Sequence, residues 1–361
     1  MLRRVALVVS LVVSLLVPCL VTAQQQSVTL GGFVDTYLAW DSGRPYGLDR
    51  AYTSQAARHA EFNVNLAYID ALMTGDRVRG RLALQAGTSV QAIYLNEPSV
   101  GRYSGGSLAQ HIQEAVVGVR MREGVWLDGG VFFSHLGSES WVSRDNPTYT
   151  RSLIADYSPY YEAGVKLTWD VRPDVTALLT VVNGWGHISE NNADKSIGAR
   201  VDWTLTPHIT LGYYNLIGNE QPDTSAARLR LFNGITAKFT SDEWTVVTTI
   251  DGGREARPGL SPASWFGTAV VARVHMTERT SLSGRFEAFN DQKQVLIRTG
   301  SGAFNVFGGS FGLDMEPSDG VLWRTEIRAL KGKSEVFPDR GSATGRSRSN
   351  MVFVTSLAIT F

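Results

Sequence analysis

The feature that most constrains this chain is a two-residue alternation of apolar and polar or small side chains, repeated along nearly its whole length after the first two dozen residues. In 160–169, Tyr161, Ala163, Val165, Leu167 and Trp169 fall on one face, with Glu162, Gly164, Lys166 and Thr168 on the other. In 196–205, Ile197, Ala199, Val201, Trp203 and Leu205 oppose Ser196, Arg200, Asp202 and Thr204. The final segment sets Met351, Phe353, Leu357, Ile359 and Phe361 against Val352, Val354, Ser356, Ala358 and Thr360. A β-strand sends successive side chains to opposite faces, so the pattern predicts strands with one apolar and one polar or small face.

Soluble sandwiches share that pattern, and strand length separates the cases. Soluble strands run about 5–6 residues, whereas membrane-crossing strands need ~9–11. The alternating stretches here run about 10–13 residues. Short connections rich in Gly, Pro, Asp and Ser lie near 74–76, 123–124, 172–174, 206–207, 241–243, 277–278 and 316–320. Long ones lie near 41–59, 89–107, 136–158, 185–195, 218–227, 253–263, 290–303 and 332–348. This alternation of short and long predicts an all-β fold: a transmembrane antiparallel up-and-down barrel of about sixteen strands, with fourteen to eighteen admissible. Short turns would face the periplasm and long loops the exterior, the longest being 136–158. Trp40 and Trp185 beside long loops, and Trp169, Trp203 and Trp244 beside short turns, fit two aromatic girdles.

The chain's ends agree with export. Arg3 and Arg4 precede an aliphatic run over Val5–Val17, and Val21-Thr22-Ala23 supplies the small residues of a cleavage site. Residues 1–23 are therefore expected to be a cleaved signal peptide, with the barrel occupying 24–361. A lipoprotein signal at Cys19, the only cysteine, is disfavoured by Pro18. Removing the signal takes two of 34 basic residues and none of 34 acidic ones, leaving a slightly acidic chain without thiol chemistry. That balance offers no basic face for nucleic acid. The alternating last strand, ending in Phe361, resembles the signal that the barrel-assembly machinery recognises.

Several segments also resemble a known family. They are His111-Ile112-Gln113-Glu114-Ala115, the run Val125–Gly137, Glu139-Ser140-Trp141, Tyr149-Thr150-Arg151-Ser152 and Asp156–Val165. Gly32-Phe33-Val34-Asp35-Thr36-Tyr37 and Val182-Asn183-Gly184-Trp185 add to these. Together they resemble the β-barrel porin-2 (OmpL-like) family. The resemblance implies an outer-membrane, channel-like protein and transfers no catalytic set. It is strongest in the first half, and residues 218–350 match only in style.

With apolar faces toward lipid, the alternate positions face a lumen. Pore-lining candidates are Arg77, Arg79, Arg81, Glu114, Arg120, Asp128, Glu162, Lys166, Arg200, Asp202, Arg324, Glu326 and Arg328. Basic positions outnumber acidic ones on this face, which predicts weak anion preference; compensating ion pairs are the alternative. Glu61, Asn63 and Asn65 are the expected partners of Arg77, Arg79 and Arg81. In the loop 136–158, Arg144, Asp145, Tyr149, Arg151 and Asp156 flank the apolar Leu153-Ile154-Ala155, which suggests an inward fold that narrows the pore.

Enzymatic readings are weak. Gly308-Gly309-Ser310-Phe311-Gly312 matches a nucleophile-elbow pattern but lies in an alternating stretch, where no strand-to-helix turn is expected. The six histidines have no metal-ligand spacing, and no phosphate loop appears, so no catalytic residue, metal or cofactor is expected. The expected function is passive passage of small solutes through an outer-membrane porin-like channel. A loop-closed barrel with a structural, adhesive or surface-binding role is the alternative. A homotrimer is kept open, although no residue marks a subunit interface.

Overall fold

The computed structural model describes residues 26–361, so the export signal expected over 1–23 lies outside the described residues. The barrel strands are β1 (Ser27–Asp41), β2 (Phe62–Thr74), β3 (Val78–Ala86), β4 (Ile112–Arg122), β5 (Val125–Phe133), β6 (Tyr161–Arg172), β7 (Val175–Val182) and β8 (Ser196–Thr206). They continue with β9 (Ile209–Asn219), β10 (Leu229–Thr240), β11 (Trp244–Arg257), β12 (Leu260–Thr277), β13 (Thr280–Asp291), β14 (Phe304–Ser318), β15 (Val321–Gly332) and β16 (Ser349–Thr360). Each pairs antiparallel with its chain neighbours, and β16 closes on β1 from Phe33↔Thr360 to Asp41↔Val352. Closure leaves no unpaired edge, the condition hydrocarbon imposes on a sheet.

Polarity is inverted relative to a soluble protein. On the outer wall Ile197 is 60% exposed, and Val201, Trp203 and Leu205 of the same strand are exposed with it. On the inner wall Arg324 is 1% exposed, and Glu326 and Arg328 are as deeply buried. Trp169, Trp203, Trp244 and Trp323 ring the short-turn end, and Trp40 is exposed near the other. Trp185 departs from the expected girdle. It packs inside against Phe232 and Trp265, ring centroids 4.9 and 6.2 Å away, because the chain after Val182 bends inward at Gly184 and Gly186, both at positive φ.

Two local features escape the alternation. First, the expected loop at 253–263 is strand: β11 and β12 continue past the other hairpins and turn at Pro258-Gly259, with Gly259 at φ +72°. Proline fixes its own φ and glycine takes the left-handed one, so two residues suffice. Second, the β1–β2 register shifts between Asp35 and Thr36, where Asn65 is the extra residue. A bulge of this kind changes which alternate residues face inward. It turns Leu66, Tyr68 and Asp70 toward the lumen and separates them from the Glu61/Asn63 phase.

Among the described residues, three short α-helices lie in the long connections, α1 (Thr88–Tyr94), α2 (Gly106–Ala109) and α3 (Leu153–Asp156), together with a single 3-10 turn at Ser143–Asp145. The longest connection, residues 134–160, carries α3 into the barrel, where Leu153 and Ile154 join a buried cluster with Phe132, Phe232, Trp265 and Phe289.

Candidate functional site

The lumen is organised around residues 134–160. A chain that leaves the sheet inside a barrel carries unpaired N–H and C=O groups, and burying them unmet is costly. The inner wall meets them. On one side, Arg200 donates to the carbonyls of His135 (2.9 Å) and Gly137 (2.8 Å). The His135 ring contacts Glu162 (3.0 Å) and the Asn215 carbonyl (2.8 Å), in space left by Gly198, whose Cβ would come within 2.4 Å of it. The segment then crosses to the opposite wall. Ser143 Oγ donates to Asp35 (2.8 Å), while Arg324 and Arg273 each donate to the carbonyls of Asn146 and Pro147.

The most direct anchor is Glu326. Its two oxygens accept the Thr150 backbone N–H (2.6 Å) and hydroxyl (2.8 Å). Arg285 bonds the Thr148 and Thr150 hydroxyls at 2.9 and 2.8 Å, and Glu287 accepts the Leu153 N–H at 2.8 Å. These wall charges also pair among themselves: Arg285 with Glu287 (3.1 Å) and Glu326 (3.2 Å), Arg328 with Glu287 (2.7 Å). Asp314 bridges Arg273 (2.6 Å) and Arg324 (2.9 Å). Buried charges are tolerable when paired and hydrogen-bonded, and here the loop backbone supplies most of what the wall charges need, with Arg273 Nε left without a partner. Gly267 lets α3 approach: a Cβ there would lie 2.2 Å from Ile154 Cγ2.

The sequence candidates thus divide into groups. Arg324, Glu326 and Arg328 form the anchoring wall rather than a row facing open water. Arg79 pairs with Asp128, Arg81 with Asp70 and Glu114, and Arg200 with Asp202. Glu162 holds His135 and Ser134, and the Lys166 ammonium sits 4.4 Å over the Phe132 ring. Arg120 lies at the short-turn rim and reaches the Asp76 carbonyl (3.4 Å). Arg77 is corrected: it stands exposed in the turn before β3, where the tight connection ends the strand phase. Its expected partners are corrected too. Glu61 binds Arg58, and Asn65 bonds Asp35 and the Ala56 N–H, since the bulge at Asn65 places Asp70 beside Arg81 instead.

Among the loop candidates, Arg144 reaches Thr360 Oγ1 (2.6 Å), so the loop descends to the short-turn end. Asp145 accepts from Ser140 (3.2 Å), and Tyr149 donates to Asp35 (3.4 Å). Arg151 lies 3.3 Å over the Tyr160 ring and donates to the carbonyls of Glu139 and Ala155. Asp156 accepts from the Ser54 backbone N–H (3.3 Å) and Tyr160 (2.9 Å), tying in the 42–61 connection; burial pushes its carboxyl up, with Arg151 opposing. Thr148 is not among the residues the sequence marks, and Asp35 and Thr150 stand there only within the segments that carry the family resemblance, with no role in the site. An inward carboxylate in a stretch of otherwise apolar inner positions (Phe33, Tyr37, Ala39) was the available signal for Asp35.

Above the loop, on the long-connection side, a cavity of about 890 Å³ is lined by Arg50, Glu97, Trp185, His187, Glu220 and Arg230 among others. Burial lowers the His187 pKa, with the carboxylates of Glu220, Glu97 and Glu190 opposing. Gly308–Gly312 runs through the middle of β14 in regular pairing, with Ser310 opposite Arg285 and Arg328; the strand-to-helix elbow that the motif requires is absent there.

Comparison with known proteins fits this architecture. A family model described as "putative beta-barrel porin-2, OmpL-like" matches residues 27–361. Among solved structures, the anion-selective porin from Comamonas acidovorans superposes with a TM-score of 0.59 at 12% identity, covering 93% of this chain and 100% of that one. OmpT, an outer membrane protein of Vibrio cholerae, gives 0.58 at 10% identity, covering 95% and 100%. Its trimer form gives 0.59 at 11% identity, covering 93% and 99%. At such identities the likeness is one of fold. No curated protein sequence matches significantly. The family match spans nearly the whole described chain, and the chain belongs to the β-barrel porin-2 (OmpL-like) family of porin-like outer-membrane channels.

Proposed function

We propose that the protein passes small solutes passively across the outer membrane through a lumen narrowed by residues 134–160. The observation that carries this reading is the anchoring of that loop to two opposite walls, by Arg200 on one side and Glu326 on the other. In support, Arg79, Arg200 and Asp202 on the inner wall keep partial water access and Lys238 is exposed, which marks the side of β3–β10 as the route of the solute in this reading. Among the described residues the Lys166 and Lys238 ammoniums there have no ion-pair partner, which favours anions. A solved relative in fold is described as anion-selective, in keeping with this preference. Long loops would face the exterior, and the β16 end would be read by the barrel-assembly machinery. A homotrimer agrees with the trimer form of OmpT.

Planar-bilayer conductance of the wild type and of a chain lacking 144–156 tests the reading. A small, anion-biased conductance that rises on deletion is expected. Equal conductance in both sinks the role given to the loop. A second reading, a barrel closed by the same loop and serving surface binding, is favoured by the packing of Leu153 and Ile154 against Phe289 and Trp265 across the lumen. It predicts a silent wild type and a conducting deletion, with no liposome swelling in any sugar.

A further inference from the structure

The outer wall carries a cluster of two asparagines where hydrocarbon is expected. Asn215 on β9 and Asn233 on β10 are directly opposite in register, and both point outward with Leu211, Tyr213, Ile217, Ile235 and Phe239. A hydrogen-bond chain runs through them. The Ala199 backbone N–H donates to Asn215 Oδ1 (3.2 Å), Asn215 Nδ2 to the Tyr213 hydroxyl (3.2 Å), and that hydroxyl to Asn233 Oδ1 (2.7 Å). There it stops. Asn233 is exposed, and its amide nitrogen has no partner within the described chain.

Depth makes this costly. Asn233 lies six residues from Phe239 at the short-turn end, roughly 20 Å along a strand at about 3.3 Å per residue, and exposed Ile217 and Ile235 flank the pair. An amide there has no water to bond, and each unmet polar group in lipid costs several kcal/mol on an order-of-magnitude scale. The neighbouring positions in the same row are small: Ala199 is paired with Asn215, and Gly252 with Asn233. The wall is therefore low from β8 to β11, with the open amide on its floor. Small residues permit close approach of a second backbone, and polar side chains then bond across the contact.

We infer that the outer face of β8–β11 is where a second copy of this chain packs, with the Asn233 amide bonded across the contact. A copy fits because an asparagine amide both donates and accepts, and so matches the same cluster on another molecule. Lipid tails supply no acceptor at this depth. The inference rests on the membrane-spanning reading of the barrel and stands whether or not the lumen conducts.

The test compares the full-length wild type, the double variant Asn215→Leu/Asn233→Leu, Asn233→Gln and the control Thr355→Val, all folded into the same detergent micelles. Subunit number is read by native mass spectrometry, folding by heat-modifiable migration, and conductance in parallel. The expected result is an oligomeric wild type and an at least about tenfold larger dissociation constant in the double variant. Asn233→Gln and Thr355→Val should stay oligomeric, and every variant should keep a folded barrel. A monomeric wild type, which would leave the face to lipid or to another protein, overturns the inference. So does a folded double variant that associates as tightly as the wild type. A silent but oligomeric wild type would instead count only against the channel reading.

Discussion

Thr150 gives both its backbone N–H and its hydroxyl to the two carboxylate oxygens of Glu326, at 2.6 and 2.8 Å. The two residues are 176 positions apart in the chain, and Arg285 touches both of them. Glu326→Gln removes a counter-charge of Arg285 as well as an acceptor. Breaking a buried pair on one side costs about 3–5 kcal/mol, and here that falls on loop docking rather than on the sheet. Single-channel conductance should rise, and trypsin should gain access to Arg151. Thr150→Ala, which keeps the N–H bond, should shift both in the same direction by less. Unchanged conductance and protection in Glu326→Gln would refute the anchoring role.

Gly267 faces Ile154 across the gap between β12 and α3. Gly267→Ala places a carbon 2.2 Å from Ile154 Cγ2 and 2.8 Å from the Phe289 ring, which forces α3 away. Overpacking of this kind costs about 1–3 kcal/mol. Hydrogen exchange at residues 150–157 should accelerate while the β12–β13 amides stay protected. Slow exchange in α3 would show that the loop does not need this close approach.

Lys166 and Lys238 should set the ionic bias. Replacing both by Glu removes two positive charges from the β6 and β10 inner faces and adds two negative ones, without touching an anchor of the loop. The reversal potential in a salt gradient should move toward cation preference, and the wild type should favour anions. Identical reversal potentials would move the selectivity elsewhere.

Adjacent residues on β15 should respond in opposite ways to the same physics. Ile327 is 49% exposed on the outer wall, while Glu326 beside it is buried inside. A basic charge on the lipid face of a barrel costs about 2–4 kcal/mol near the midplane. Ile327→Arg should therefore lower the folded fraction in lipid vesicles, read by heat-modifiable migration, whereas Ile327→Leu should be neutral. Equal yields would place Ile327 outside the membrane band.

The sheet was legible because its information is local: a side-chain period of two, turn residues at fixed intervals and tryptophans at strand ends. Lys166, Arg200, Glu326 and their neighbours could be assigned inward on that phase alone. Their work could not. Whether Glu326 faces water or a loop N–H depends on where residue 150 comes to rest, which no period encodes. Phase errors arose where the backbone breaks the repeat. The extra residue at Asn65 changed the partners of Arg81, and Pro258-Gly259 joined two strands where charge and glycine had suggested a loop. Trp185 misled for a related reason, since glycines on either side turn its segment inward.

The seam between β1 and β16 has a consequence in time. Gly32 and Phe361 exchange backbone hydrogen bonds at 2.9 and 3.1 Å, and the Phe361 ring occupies space that a Cβ on residue 32 would fill. Every other strand finds its neighbour within one connection, but this pair joins the opposite ends of the described chain. Until β16 arrives, β1 keeps one row of N–H and C=O groups open to any other strand. An unclosed sheet has two such edges, β1 at one end and β16 at the other, and the single seam that joins them removes both at once.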